Sequence, residues 1–260
     1  MVRSVTESMN KLISAVLRRT SLQYLPVRVR RGPAKGAIWT LYPFTGYWRG
    51  QTEPETEAAI YSYVHEGMCC WDLGTHFGLY TVAMAMRVGP HGQVFGFEAD
   101  RAAYERCCVH LRWNKLSWAK VFNCAVSSTA GSGNLIVEAG LGSPFTHLAT
   151  EDEDVVRPSP NGRREVRVQT VRLDELVQTG EILLPDFIKV DVEGHGAKAL
   201  KGALDALRRK RPTIQMAFHS KWEQDDTRSL LEPLGYKPFD LNNRQSSWKC
   251  EAAVLRWIST

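Results

Sequence analysis

The sequence lacks the features that mark membrane proteins, secreted disulfide-rich domains and small metal-binding domains. No apolar run approaches the roughly 20 residues that a membrane-spanning helix needs, and residues 1–20 lack the apolar block and cleavage site of a secretory signal. No two cysteines have the two-residue gap of a zinc or redox motif. The six cysteines lie at positions 69, 70, 107, 108, 124 and 250. We therefore expect a cytoplasmic protein with no stable membrane insertion and with reduced, mostly buried cysteines.

Acidic residues are scarce at the beginning of the chain, where Glu7 is the single acid before Gly36 against eight lysines and arginines. A basic segment of this kind can attract nucleic acid, anionic lipid or an acidic substrate, but it is more often a solvated surface. Neither interleaved stacking aromatics nor a known nucleic-acid module accompanies these charges. We therefore expect no nucleic-acid partner.

The first 52 residues are expected to form an extension that leads into the ligand site. Apolar residues at helical spacing predict an amphipathic helix over Val5–Arg19. This helix packs on the domain, joins two subunits of a homo-oligomer, or serves as a mitochondrial transit peptide. A hairpin is predicted over Val27–Arg31 and Ala37–Leu41. The aromatic loop Tyr42–Gly50 follows, and its rings either join the core or cover the ligand pocket.

Residues 53–260 are expected to form one α/β domain, because strand and helix patterns alternate along them. The predicted strands begin near Met68 and then cover Gln93–Phe97, Lys120–Val126, Pro185–Asp191, Pro212–Phe218, Tyr236–Leu241 and Ala252–Ile258. The predicted helices cover Pro54–His65, Leu79–Met86, Arg101–Asn114, Leu173–Val177, Ala197–Lys210 and Asp225–Leu234. The region Gly131–Gln169 interrupts the alternation with two short strand candidates, Asn134–Glu138 and Glu165–Gln169. The pattern predicts a mainly parallel sheet that binds ligands at the carboxyl ends of its strands.

The stretch Asp72-Leu-Gly-Thr-His-Phe-Gly78 has the pattern of a tight turn between a strand and a helix. Gly74 and Gly78 let a ligand approach the backbone, and the first amides of the helix point toward that ligand. Asp72 precedes the glycines, and its carboxylate would repel the pyrophosphate of a dinucleotide but suits an ammonium or sulfonium group. The structural alternative is that Asp72 only caps the helix.

An acid at the end of the next strand completes this pattern. Glu98 lies twenty residues beyond Gly78, where a carboxylate accepts hydrogen bonds from both hydroxyls of a ribose. The third strand ends near Asn123-Cys-Ala125, beside the same site. S-adenosylmethionine carries a ribose, an amine and a sulfonium but no phosphate, so it fits these residues. A nicotinamide dinucleotide is the alternative.

The fourth strand carries three charged residues on one side, because Lys189, Asp191 and Glu193 are two positions apart. Such charges are costly on a central strand unless they are paired or face a cleft. In the functional interpretation Asp191 or Glu193 positions the substrate or acts as a base, and Lys189 pairs with one of them. In the structural interpretation Lys189 and Asp191 form an ion pair that fixes the strand end. His195 and His219 follow adjacent strand ends and are further candidate bases.

Several motifs resemble those of the FkbM-type family of S-adenosylmethionine-dependent methyltransferases. They are Gly50–Glu55, Asp72–Thr81, Phe97-Glu98, Leu173–Leu176 and Ile188–Gly194 with Leu200–Ala203. The resemblance implies a class I methyltransferase fold, an α/β sheet of seven strands with the last one antiparallel. It also implies O-methylation of a hydroxyl on a sugar, polyketide or similar small molecule. With the patterns above, it assigns cofactor binding to Asp72, Gly74, Thr75, His76, Gly78, Glu98, Asn123, Cys124, Ala125 and Asp191.

Three positions depart from the family pattern. The family usually has Asn at His76, a second Glu at Gly196, and often an acid at Ala217. These departures make a catalytically idle cofactor-binding scaffold the alternative function. Methylation of nucleic acid or protein is less favoured, because the fourth strand ends in Asp-Val-Glu-Gly194 rather than in an Asn/Asp-Pro-Pro-aromatic turn. We expect no metal, because Asp191 and Glu193 have no evident third ligand.

Overall fold

The computed structural model describes residues 24–41, 46–50, 52–137, 146–148, 164–240, 244–248 and 252–258. The predicted helix over Val5–Arg19, residues 42–45 of the aromatic loop and Cys250 lie outside these ranges. The described strands are β1 (Pro26–Arg28), β2 (Ile38–Thr40), β3 (Cys69–Leu73), β4 (Gln93–Phe97), β5 (Ala119–Phe122), β6 (Ala125–Val126), β7 (Gly131–Val137), β8 (Thr146–Leu148), β9 (Arg164–Val171), β10 (Phe187–Val190), β11 (Thr213–Ala217), β12 (Tyr236–Phe239) and β13 (Ala252–Trp257). The described α-helices are α1 (Pro54–Tyr63), α2 (Leu79–Val88), α3 (Arg101–Trp113), α4 (Leu173–Gln178), α5 (Gly196–Lys201), α6 (Leu204–Lys210) and α7 (Lys221–Leu231). None of these helices is long and apolar enough to cross a membrane.

A seven-stranded sheet with the order β12-β13-β11-β10-β3-β4-β5 forms the centre of the fold. Strands β11, β10, β3, β4 and β5 pair in parallel, whereas β13 is antiparallel to both of its neighbours. Every residue of β3 and β10 is buried, as expected for parallel strands covered on both faces. The predicted sheet of seven strands, with the last one antiparallel, is confirmed.

Helices cover both faces of this sheet and bury a separate apolar cluster on each side. Helices α1, α2 and α3 cover one face together with the β1–β2 hairpin, and Trp39 is fully buried there. Helices α4 to α7 cover the other face, where Trp71 is fully buried. Four of the five described cysteines are buried, as predicted, and none of the five is in a disulfide.

The predicted strand Lys120–Val126 is two strands that belong to different sheets. β5 is an edge strand of the main sheet, whereas β6 belongs to a four-stranded sheet of order β6-β9-β7-β8. Between them the Asn123 side-chain amide donates to the carbonyls of Glu98 (2.9 Å) and Ala99 (3.2 Å), which turns the chain across the end of β4. In the described part of the interruption predicted over Gly131–Gln169 the chain forms a second sheet, in which β7 and β9 pair along their length.

The predicted helix Ala197–Lys210 is also divided, into α5 and α6. A Cβ atom at Gly202 would lie 2.1 Å from the Ser127 carbonyl oxygen, so glycine lets the chain pass close to the end of β6. The Asp174 carboxylate then accepts the Asp205 amide (3.0 Å) at the start of α6. The Leu173–Leu176 motif thus supplies a helix cap.

A buried histidine fastens the β1–β2 hairpin to the main sheet. His110 of α3 stacks on Trp39 with ring centroids 3.5 Å apart. The Thr40 amide donates to its Nε2 (3.2 Å), so Nδ1 carries the proton that goes to the Phe77 carbonyl (2.8 Å). Burial lowers the pKa of His110 to about 3. The hairpin therefore shares the core of the main sheet, and the predicted division at residue 52 stays a prediction.

Candidate active site

The carboxyl ends of four neighbouring strands bring most of the predicted site residues to one edge of the sheet. In the order β4, β3, β10 and β11, these ends carry Glu98, the turn from Gly74 to Gly78, Asp191 and His219. Since neighbouring strands lie about 4.8 Å apart, Glu98 and His219 are about 15 Å apart along the edge. The turn and Asp191 lie between them.

The glycines of the turn are required by its own packing. Gly74 and Gly78 have φ values of +84° and +85°, which favour glycine. A Cβ atom at Gly74 would lie 1.9 Å from the Asp191 carbonyl oxygen, and one at Gly78 would lie 2.3 Å from Cys107 Sγ. The turn therefore packs directly against the end of β10 and against α3.

Glu98 presents a carboxylate beside this turn. Its Oε2 accepts the His76 amide (2.6 Å) and its Oε1 accepts the Asp100 amide (2.8 Å). Each carboxylate oxygen has a second lone pair, so both remain able to accept a ribose hydroxyl. The side chain is half-buried, and burial raises the pKa of Glu98 to about 7 despite these amide bonds. Glu98 fits the predicted role in ribose binding.

His76 has an unused nitrogen within the turn. Its Nδ1 lies 3.3 Å from the Tyr47 hydroxyl, and its backbone adopts a positive φ of +49°. Its Nε2 is buried and has no partner among the described residues. Burial lowers the pKa of His76 to about 4, so the ring is neutral near pH 7. When Tyr47 donates to Nδ1, Nε2 carries the ring proton and can donate a hydrogen bond to a carboxylate of the cofactor.

Lys189 lies at the centre of a buried polar group that joins the strand ends. It is only 2% exposed, and its Nζ lies 3.5 Å from Asp72 Oδ1, 3.4 Å from Asp191 Oδ2 and 3.1 Å from the Gly74 carbonyl. Burial opposes its charge, but the carboxylates of Asp72 and Asp191 outweigh that effect and raise the pKa of Lys189. Asp72 also accepts the Thr81 hydroxyl (2.6 Å). The cation facing Asp72 is thus Lys189, and both residues hold the turn in place.

His219 bridges two carboxylates at the edge of this polar group. Its Nε2 lies 2.9 Å from Asp191 Oδ1, and its Nδ1 lies 3.2 Å from Glu193 Oε2. The hydrogen bond to Asp191 and the charge of Glu193 raise the pKa of His219 even though burial opposes this. Burial also raises the pKa of Glu193. One ligand atom from each of the three residues lies within 4.8 Å of the others, so the group also has the composition of a metal site.

Glu223 is a site residue that the sequence interpretation missed. Its buried carboxylate accepts the His219 amide (2.9 Å) and the Gly196 amide (2.8 Å). A Cβ atom at Gly196 would lie 2.8 Å from Glu223 Oε1, so Glu223 occupies the space beside the glycine that departs from the family pattern. The available signal was Ser220-Lys-Trp-Glu223, a capping-box sequence. The Ser220 hydroxyl accepts the Glu223 amide (3.1 Å), and α7 begins four residues before its predicted start at Asp225.

We call Asp191, Glu193 and His219 together the carboxylate–histidine group. The other predicted residues lie apart from this group. His195 is buried, its Nε2 lies 3.1 Å from the Ser127 hydroxyl, and burial lowers its pKa to about 4. Thr75 is buried in the turn. Cys124 and Ala125 are buried beyond the end of β5, and burial raises the pKa of the Cys124 thiol to about 12. These positions shape the walls around the strand ends.

Comparison with known proteins places this site in a family. The methyltransferase FkbM domain matches residues 72–238. Hexuronic acid methyltransferase AglP of Haloferax volcanii is 28% identical over 204 residues, which cover 75% of this chain and 71% of the relative. Methyltransferase sdnD of Sordaria araneosa is 26% identical over 199 residues, which cover 68% and 75% of the two chains. The FkbM methyltransferase structure from Methylobacillus flagellatus gives a TM-score of 0.49 at 19% identity over 88% of this chain.

This chain spans 48% of the length of the Methylobacillus protein. The FkbM match covers more than half of this chain and contains the strand ends from Asp72 to His219. The chain therefore belongs to the FkbM family and is an S-adenosylmethionine-dependent methyltransferase.

Proposed function

We propose that the protein transfers the methyl group of S-adenosylmethionine to a hydroxyl of a small molecule or sugar. The observation that carries this proposal is the Asp191–His219–Glu193 group, which lies directly beside the turn assigned to the cofactor. The name of the Haloferax relative, a hexuronic acid methyltransferase, supports a sugar-type acceptor. We place the reaction in the cytoplasm, with no nucleic-acid partner.

The residues of the turn fit S-adenosylmethionine. Glu98 has free acceptor positions for the ribose hydroxyls, and His76 offers a buried nitrogen to the polar end of the molecule. The cofactor supplies an electrophilic methyl group through its sulfonium. Lys189 and Asp72 act through the turn: their ion pair and the Lys189 contact with the Gly74 carbonyl hold the binding backbone in one geometry.

The carboxylate–histidine group provides a path for the proton of the acceptor. A hydroxyl oxygen that forms a bond to carbon must lose its proton, and a neutral imidazole can accept it near neutral pH. In this arrangement the Glu193–His219 pair receives the proton, and Asp191 stabilises the resulting imidazolium across 2.9 Å. Glu223 fixes the backbone amide of His219 and so positions the ring.

We expect His219→Ala to lower kcat by about 10²- to 10⁴-fold, the usual contribution of a positioned acid or base. The affinity for S-adenosylmethionine, measured by calorimetry, should change little because Glu98 and the turn remain. The wild-type rate should rise with pH through a pKa above 6.5, because the raised pKa of His219 must be passed before the ring can accept a proton. Asp191→Asn should move this rise in rate to lower pH, because His219 loses the carboxylate that raises its pKa.

The matched control is His195→Asn, which changes the histidine after the neighbouring strand. Since His195 is bonded to Ser127 and lies apart from the carboxylate–histidine group, its replacement should leave kcat within about threefold of wild type. Equal losses in the two histidine variants would remove His219 from the proton path.

We expect the purified enzyme to keep its activity after treatment with EDTA and removal of the chelated ions. Proton transfer to His219 and Glu193 needs no metal. The rate should therefore be the same before and after chelation, and again after adding magnesium. Loss of activity that magnesium restores would instead assign Asp191, Glu193 and His219 as metal ligands.

The experiment that tests the proposed function uses a methyl-labelled donor, the purified protein and a cell extract separated by size. We expect the label to enter the small-molecule fraction and to resist the mild base that cleaves methyl esters. Label in RNA or protein would contradict the proposed acceptor. Tight donor binding without any transfer would support the alternative of an idle cofactor-binding scaffold.

A further inference from the structure

A cleft of about 190 Å³ opens beside the polar group. None of its described lining residues binds the cofactor or receives the proton in the proposed function. Its described lining residues come from α1, β11, β12 and β13 and the segments next to them. They are Glu55, Gln215, Phe239, Asp240, Ser246 and the stretch 252–254.

Sheet register places this cleft next to the carboxylate–histidine group. Gln215 of β11 pairs with Lys189 on one side and with Val254 on the other. Residues paired across neighbouring strands point to the same face, as do residues two positions apart. Gln215 therefore shares a face with Lys189, about one strand spacing or 5 Å away, and with Asp191, which is two residues further along the chain. Ala217, the next residue on this face, pairs with Ala252 at the cleft and has a small side chain.

Gln215 is an unpaired polar side chain at the base of the cleft. It is 1% exposed, and neither its Oε1 nor its Nε2 has a hydrogen-bond partner among the described residues. Buried amides are nearly always paired, because an unpaired one loses its bonds to water without replacement. An amide left unpaired at a cleft beside reactive groups is therefore expected to serve a bound molecule.

We propose that the cleft holds the methyl acceptor and that Gln215 recognises two adjacent hydroxyls of an uncharged ring. This inference rests on the proposed O-methyl transfer. A carboxamide has one accepting oxygen and one donating nitrogen side by side, and each hydroxyl can donate and accept, so a hydroxyl pair satisfies both atoms. Phe239, whose ring is covered on one face by Arg256, adds apolar surface to the lining of the cleft for such a ring. Gln215 is thus a specificity-determining residue.

The charge of the lining distinguishes an uncharged ring from an acidic one. The ionisable groups among the described lining residues are the carboxylates of Glu55 and Asp240. Two cations lie nearby: Lys189 is already held between Asp72 and Asp191, and Arg256 lies over the ring of Phe239 with its guanidinium carbon 3.7 Å from the ring centroid. The two lining carboxylates therefore outnumber the one guanidinium beside them. A ring that carries its own carboxylate would therefore meet negative charge at Glu55, which opposes binding.

The test measures ring binding by saturation-transfer NMR with S-adenosylhomocysteine present. The probes are methyl glucopyranoside and glucuronate, which share a ring but differ in charge. We expect wild type to bind the uncharged probe more tightly, and Gln215→Leu to weaken that binding about tenfold, the loss expected for one hydrogen bond. Glu55→Gln should reduce the discrimination against glucuronate. Cofactor affinity and melting temperature should not fall in Gln215→Leu, because leucine keeps the shape and removes an unpaired amide; Gln215→Met provides the same test if leucine misfolds.

Unchanged probe binding in both Gln215 variants, or tighter wild-type binding of glucuronate, would overturn the inference while leaving the methyl transfer in place. Lower thermal stability of both variants with normal probe binding would assign Gln215 a purely structural role and would also overturn it. Failure of the wild type to bind S-adenosylmethionine would instead contradict the proposed function. Calorimetry of S-adenosylmethionine binding to the wild type thus separates failure of this inference from failure of the proposed function.

Discussion

Replacing Lys189 with methionine is expected to lower the free energy of unfolding by about 3–5 kcal/mol, the cost of breaking a buried ion pair from one side. Asp72 is fully buried, and the variant would leave its carboxylate without the cation 3.5 Å away. The Gly74 carbonyl would lose its bond to Nζ as well. Urea denaturation measures the loss, and S-adenosylmethionine affinity should fall with it because the turn is no longer fixed.

The control is the double variant Asp72→Asn with Lys189→Met, which removes both charges. It should be more stable than the Lys189→Met single variant, because no uncompensated carboxylate remains at position 72. The carboxamide that replaces this carboxylate keeps a side-chain oxygen, which can still accept the Thr81 hydroxyl. A Lys189→Met loss below about 1 kcal/mol, the range of a surface pair, would contradict the central role of this cation.

The sheet could be predicted from the sequence because most of its strands have a clear local sequence pattern. Runs such as Gln93–Phe97 and Pro212–Phe218 are short, apolar and separated by helical patterns, and each forms a parallel strand close to its predicted bounds. The breaks were harder to predict. The predicted strand over Lys120–Val126 is apolar except for Lys120 and Asn123, yet the Asn123 hydrogen bonds to the end of β4 divide it. Only the tertiary contact explains that division.

Part of the site could also be predicted, because several of its residues directly follow predicted strands. Glu98, Asp191 and His219 follow strand ends, so topology alone brings them to one edge. Glu223 and Gln215 were missed because one reaches the site from a helix and the other lies in the middle of a strand. Their roles depend on what they contact across the fold: the His219 amide for Glu223, and the cleft between β11, β12 and β13 for Gln215.

Replacing Glu98 with alanine is expected to weaken S-adenosylmethionine binding by about 100-fold, since hydrogen bonds to a charged group contribute about 1.5–3 kcal/mol. The variant removes the proposed acceptor of both ribose hydroxyls. It also removes the partner of the His76 and Asp100 amides, which shape the turn. Calorimetry measures the affinity, and an unchanged dissociation constant would remove Glu98 from the site.

The raised pKa of Glu98 makes the same contact sensitive to pH. In the free protein burial raises this pKa to about 7, whereas the ionised form accepts ribose hydroxyls at both oxygens. Binding therefore favours the deprotonated carboxylate, so affinity should fall as pH drops below 7, by up to about tenfold per pH unit, and should level off above pH 8. Glu98→Gln stays neutral and should lose this slope. A wild-type affinity that is constant from pH 6 to 8, or a slope that survives in Glu98→Gln, would show that Glu98 ionisation is not coupled to cofactor binding.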